Sequence, residues 1–162
     1  MTATAALGIP SFSARIVNTG SSSDAKRLED FLEAVLTDYR RQAPRDLALA
    51  ELARVYAECS RDGWDGYSAS AISPSAHHAA VRFILSLPAS LPMPDVVPEA
   101  DGEISLEWDY GQWRALSLSI GENGQLAYAA MLGRRKRDKG SEIFDDVIPS
   151  EILATLWKVT HP

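Results

Sequence analysis

Gly63-Trp64-Asp65-Gly66-Tyr67 sets an indole, a carboxylate and a phenol around a pair of glycines. Glycines at that spacing favour a tight loop over a helix or strand. A rigid loop bearing those groups could line a ligand pocket. The plainer reading is a structural corner, with Trp64 and Tyr67 filling the core and Asp65 accepting from backbone N–H groups. Farther along, Glu107 and Asp109 stand two apart in an alternating run, so a strand would point both at one face. With Asp65 nearby they would form a carboxylate cluster suited to a hard cation or to acid–base work. Acids on an exposed strand face are more often simply solvated.

The run Arg134-Arg135-Lys136-Arg137-Asp138-Lys139 gathers much of the basic charge of a chain with 16 basic and 22 acidic residues. Arg134, Arg135, Lys136 and Arg137 are therefore candidate contacts to phosphates or to an acidic partner. The competing reading is a solvated hairpin tip that keeps a sheet edge soluble. No aromatic residue interleaves the run, which weakens a base-stacking role. His77 and His78 are adjacent, about 100° apart on a helix, and cannot grip one metal in the usual i, i+4 manner. His161 is next to the C-terminus. No metal site and no cofactor is expected. G-x-S-x-G, the P-loop and G-x-G-x-x-G are all missing, and Ser73-Pro74 reads better as a helix start than as a nucleophile.

These groups need elements to position them. Leu28, Phe31, Leu32, Val35, Leu36 and Tyr39 recur at helical spacing, an apolar stripe on a first helix capped by Ser23. Acids crowd its start and Arg40 and Arg41 its end, which suits the helix dipole. Pro44 is expected to end that helix and open a second over Asp46–Ser60, making a helical hairpin. Cys59 lies on the apolar side of the second helix, a buried thiol. A third helix begins at Ser73-Pro74, carries Ala76, Ala80, Phe83, Ile84 and Leu87 inward, and stops at Pro88. The proline-rich stretch 88–98 reads as an extended strap.

From Gly102 to Gly133, three alternating runs are separated by glycine turns, the signature of an antiparallel meander. Ile104, Leu106 and Trp108, then Leu116, Leu118 and Ile120, then Leu126, Tyr128 and Ala130 form one face. Ser105, Glu107, Ser117, Ser119, Ala127 and Ala129 form the other. After a basic loop over 134–140, residues 142–144 are expected to return as a fourth strand, and Pro149–Val159 closes the chain as a helix with Ile152, Leu153, Leu156 and Trp157 inward. The fold class is thus α+β: an antiparallel three- to four-stranded meander packed on one face by about three to four helices. Residues 1–22 read as a disordered or loosely docked segment, and residues 23–162 as a single domain.

The loop Gly63–Tyr67, Ser73-Pro74, the run Leu106-Glu107-Trp108 and the closing Ile148-Pro149 resemble a family of small uncharacterised bacterial proteins. The resemblance spans about residues 60 to 155. It implies a bacterial origin and brings no activity or catalytic residues with it.

A net charge of −6 argues against a free-standing nucleic-acid binder. A single cysteine excludes an internal disulfide framework. The opening residues lack a basic start and a long apolar run, so neither a signal peptide nor a membrane span is expected, and a cytoplasmic location follows as the default. The expected function is a non-enzymatic binding or regulatory module, antitoxin-like or immunity-like, holding a protein partner on the open sheet face. One alternative is a small enzyme or ligand-binding domain using Trp64, Asp65, Tyr67, Glu107 and Asp109. Another is weak nucleic-acid contact through Arg134–Lys139.

Overall fold

The computed structural model describes residues 22–161, so the expectation for the N-terminal segment lies outside the described residues. The chain divides into two compact units, Met1–Leu36 and Thr37–Pro162. The described part of the first is the beginning of α1, which runs Ser22–Glu58 and continues into the second. The second unit then holds α2 (Pro74–Ser86), β1 (Asp95–Pro98), β2 (Ile104–Asp109), β3 (Arg114–Ile120), β4 (Gln125–Leu132), β5 (Arg137–Ile143) and α3 (Ser150–Thr160). The class is α+β, with five strands rather than three to four.

The expected helical hairpin is a single 37-residue helix with Pro44 inside it. Proline there removes the bond to the Arg40 carbonyl and crowds it, a cost of about 3 kcal/mol. Packing of the following turns offsets this. Ala48, Leu52, Val55 and Cys59 are all buried in the core, and the Arg45 guanidinium donates to the Leu87 carbonyl at 2.6 Å. Burial raises the Cys59 thiol pKa above its ordinary value.

The stripe earlier in α1 turns out differently. Leu28, Phe31, Leu32, Val35, Leu36 and Tyr39 are all exposed. Helical periodicity shows that a helix has an apolar side; it does not show that the same chain supplies a cover for it. A direct contrast follows. Leu32→Ala is expected to shift stability by less than about 0.5 kcal/mol, whereas Leu52→Ala, with its side chain fully enclosed, is expected to cost about 2–5 kcal/mol. Urea unfolding of the two variants side by side checks this.

The strands lie in sequence order, β1-β2-β3-β4-β5, all antiparallel. Two of them depart from the expectation. The last four residues of the proline-rich strap are β1, pairing Val96 with Leu106 and Pro98 with Ile104. It is short and at the sheet edge, where proline is tolerated. The basic run is not wholly a loop either, because Arg137 and Lys139 belong to β5, opposite Met131 and Ala129. The turns agree with the sequence. Asn123 and Gly124 both have positive φ, 57° and 72°, as a tight Asn-Gly hairpin requires. Ser73 caps α2 by accepting from the Ser75 N–H, with Pro74 at the first turn.

One sheet face is the core. Ile104, Leu106, Trp108, Leu116, Leu118, Ile120 and Leu126 are buried with Phe83 and Ile84 of α2 and Ile152, Leu156 and Val159 of α3. Trp157 is the exception to the expected inward set on α3. It is exposed and stacks on His161 with ring centroids 3.8 Å apart.

Candidate functional site

The second sheet face carries the candidate site. The registers set out its rows across the sheet. Asp95, Glu107, Ser117, Ala129 and Lys139 stand side by side, and Asp109, Ala115, Met131 and Arg137 form the next row. A third row holds Val97, Ser105, Ser119, Ala127 and Ser141. The middle strands β3 and β4 thus contribute Ala and Ser, apart from Met131. Acids lie toward β1 and β2, and cations lie along β5. Short side chains between longer charged ones make a trough of about 580 Å³. Its floor is Ala115, Ser117 and Ala129, its acidic margin Glu107 and Asp109, and its basic margin Arg137 and Lys139. Ser105, deeper still, is fully buried and shares a 3.0 Å hydrogen bond with Ser117 across the strands. Beside them Ser119 donates to the Glu103 carboxylate.

The two predicted acids are not equivalent. Asp109 accepts from the Gly111 N–H at 2.7 Å and so helps to close the β2–β3 turn. Glu107 is half-buried on the trough margin. Neither is joined there by the loop residues, since Trp64, Asp65 and Tyr67 do not line the trough.

The Gly63–Tyr67 loop is a knot tying the end of α1 to the β1–β2 turn. Asp65 accepts from the backbone N–H groups of Tyr67 and Ala69, at 2.8 and 3.2 Å. Trp64 packs against the core and donates its indole N–H to the Ser70 carbonyl. Asp62 accepts from the Ala71 N–H, and the Ser70 N–H bonds to the Ala100 carbonyl. The Asp62 and Asp65 carboxylates are therefore both engaged by backbone N–H groups of the fold. Tyr67 is the odd member, 89% exposed rather than filling the core.

His77 is half-buried and stacks on Tyr56 at 4.1 Å. Burial, and then the neighbouring His78, hold its pKa below the ordinary value. Among the described residues no group of three or more His, Cys, Asp or Glu side chains could hold a metal ion, and no helix is long and apolar enough to cross a membrane.

The basic run splits between two faces. Arg137 and Lys139 border the trough, while Arg134 and Lys136 line a different cleft. Arg135 is exposed in the turn between β4 and β5. That second cleft also takes in Trp113, Arg114 and Lys158, none of which stood out in the sequence. The available signal was Trp113-Arg114 in the β2–β3 turn, but its closeness to residue 134 depends on strand register. No protein-family model matches the chain, and neither a curated protein nor a solved structure matches it.

Proposed function

We propose that this chain is a non-enzymatic binding module that holds a protein partner in the trough on the open face of its sheet. The observation that carries the reading is the charge-sorted, small-residue floor between Glu107 and Asp109 on one side and Arg137 and Lys139 on the other. Alanine and serine let a partner's backbone approach the sheet closely, and opposed charged margins fix its orientation more than they add affinity. Asp65, tied to two backbone donors, and the separation of the aromatic loop from the trough support occupancy over turnover. An antitoxin-like or immunity-like protein works in that way.

Ala129 is exposed at the middle of the floor, so Ala129→Arg fills the trough without touching the core. The expected result is that a protein retained in stoichiometric amount by the parent chain from its native extract is lost with Ala129→Arg. Retention should persist in Arg135→Ala, which alters exposed charge elsewhere. Glu107→Lys should weaken retention by about tenfold or more through a misplaced margin charge. A partner held equally by Ala129→Arg and the parent, or no stoichiometric partner at all, would refute the reading.

A further inference from the structure

The cleft beside the β4–β5 turn has a chemistry of its own. It is an open cleft of about 500 Å³, the size of a small-molecule site. Arg114 from the start of β3, Arg134 and Lys136 from the turn, and Lys158 from the last turn of α3 converge on it, and among the described residues no carboxylate lines it. This occurs in a chain of net charge −6. Among the described residues, none of these four cations takes part in an ion pair.

Part of the arrangement has a structural explanation. Lys158 and His161 sit at the C-terminal end of α3, where the helix dipole favours positive charge. His161 is further accounted for by its stack on Trp157 and its 2.8 Å hydrogen bond with Thr160. That explanation does not extend to Arg114, Arg134 and Lys136. Arg114 is half-buried, and its Nε is buried with no hydrogen-bond partner. An orphaned guanidinium N–H is costly unless an acceptor fills the place. The guanidiniums also stand against aromatic rings, Arg114 over Tyr110 at 5.2 Å and Arg134 over Trp113 at 5.9 Å. Those contacts limit where the forks can swing. Trp113 itself is held at φ 79°, its carbonyl accepting from the Gly133 N–H at 2.7 Å. A bulky residue in the left-handed region is strained, and such strain collects at ligand sites.

We infer that this cleft binds a ligand carrying two or more adjacent phosphoryl groups, with Arg114, Arg134, Lys136 and Lys158 as its contacts. Uncompensated like charges repel one another; a polyanion relieves that repulsion, and arginine forks match phosphate oxygens two at a time. A single carboxylate or a monoanion would neutralise too little of the cluster. The residues are distinct from those of the trough, so the inference stands or falls separately from the binding-module reading.

The test is calorimetric titration with pyrophosphate, ATP and adenosine at low and at physiological salt. Pyrophosphate and ATP are expected to bind with one site per chain, more weakly at higher salt, and adenosine not to bind. Lys136→Met and Arg134→Met, both at exposed positions, are each expected to weaken pyrophosphate binding about tenfold with an unchanged melting temperature. Arg114→Met serves as a further variant if it folds. Arg135→Met, outside the cleft, and Ala129→Arg, in the trough, should leave binding unaltered. A short single-stranded oligonucleotide separates the two sources of the same phosphate chemistry. If it displaces pyrophosphate one for one, the ligand is a nucleic-acid backbone; if not, it is a free polyphosphate or nucleotide. Absence of pyrophosphate and ATP binding at millimolar concentration would overturn the inference, as would an equal loss in Arg135→Met.

Discussion

Trp108→Ala is expected to lose about 3–5 kcal/mol of unfolding free energy, a large share of what a domain of this size has. The indole is 3% exposed and lies on the core face of β2, in register with Leu116 of β3. Removing it leaves a cavity between the sheet and its cover, which the close-packed surroundings can only partly fill. It also removes the donor to the Pro92 carbonyl, a 2.9 Å bond that fastens the proline-rich strap to β2. Trp108→Phe separates the two effects: it keeps most of the volume and loses only the bond, so its cost should be about 1–2 kcal/mol. Denaturant melts of both variants provide the measurement. An unchanged midpoint in Trp108→Ala would contradict the assigned core face.

Gly124→Ala and Gly111→Ala form the second contrast. Both glycines have positive φ, 72° and 82°, so an alanine at either pays about 1–2 kcal/mol for the left-handed conformation. Their surroundings differ. A Cβ at Gly111 meets nothing within 4 Å, whereas at Gly124 it would lie 2.5 Å from the Phe144 carbonyl oxygen. That oxygen is backbone and cannot rotate away. Moving it would also disturb the bond from the Phe144 N–H to the Gly124 carbonyl and the buried Phe144 ring. Gly124→Ala is therefore expected to cost about 3–4 kcal/mol, strain and displacement together, and Gly111→Ala only the conformational part. Equal losses in the two variants would show that the close approach to Phe144 is relieved at no cost.

Elements whose local pattern agrees with their tertiary setting were readable from the residues alone. β2, β3 and β4 alternate because one face is core and the other open, and Asn123-Gly124 and Ser73-Pro74 carry their own turn and cap chemistry. β5 was hidden. Its helix-side residues Asp138, Gly140 and Glu142 are not apolar, so no alternation marks it. The hydrogen bond from Thr155 to Asp138 and the seating of Tyr128 against Gly140 suit those residues to the position, and both depend on long-range contacts. β1 was masked by Pro98 and by the prolines just before the strand. Pro44 misled for the opposite reason: a strong local breaker is overruled by burial of Leu52 and Val55 further along the helix. For the sites, spacing placed Glu107 and Asp109 on the open face correctly but did not reveal that Asp109 closes a turn. The cationic cleft draws on Arg114, Lys136 and Lys158, which are far apart in sequence, and only register and the docking of α3 make them neighbours.

The strand order of the sheet also bears on how quickly the chain reaches its fold. Each strand pairs with the next one in sequence, and the connections from β2 to β5 are short turns. Closing such turns costs little chain entropy, and folds built from near-neighbour pairings form fast for their size. On the ribosome the meander can zip hairpin by hairpin as it emerges. Its vulnerable interval comes afterwards: α3, which packs on β3 and β4, follows all five strands in sequence, so the part of the core face that it covers waits until it arrives.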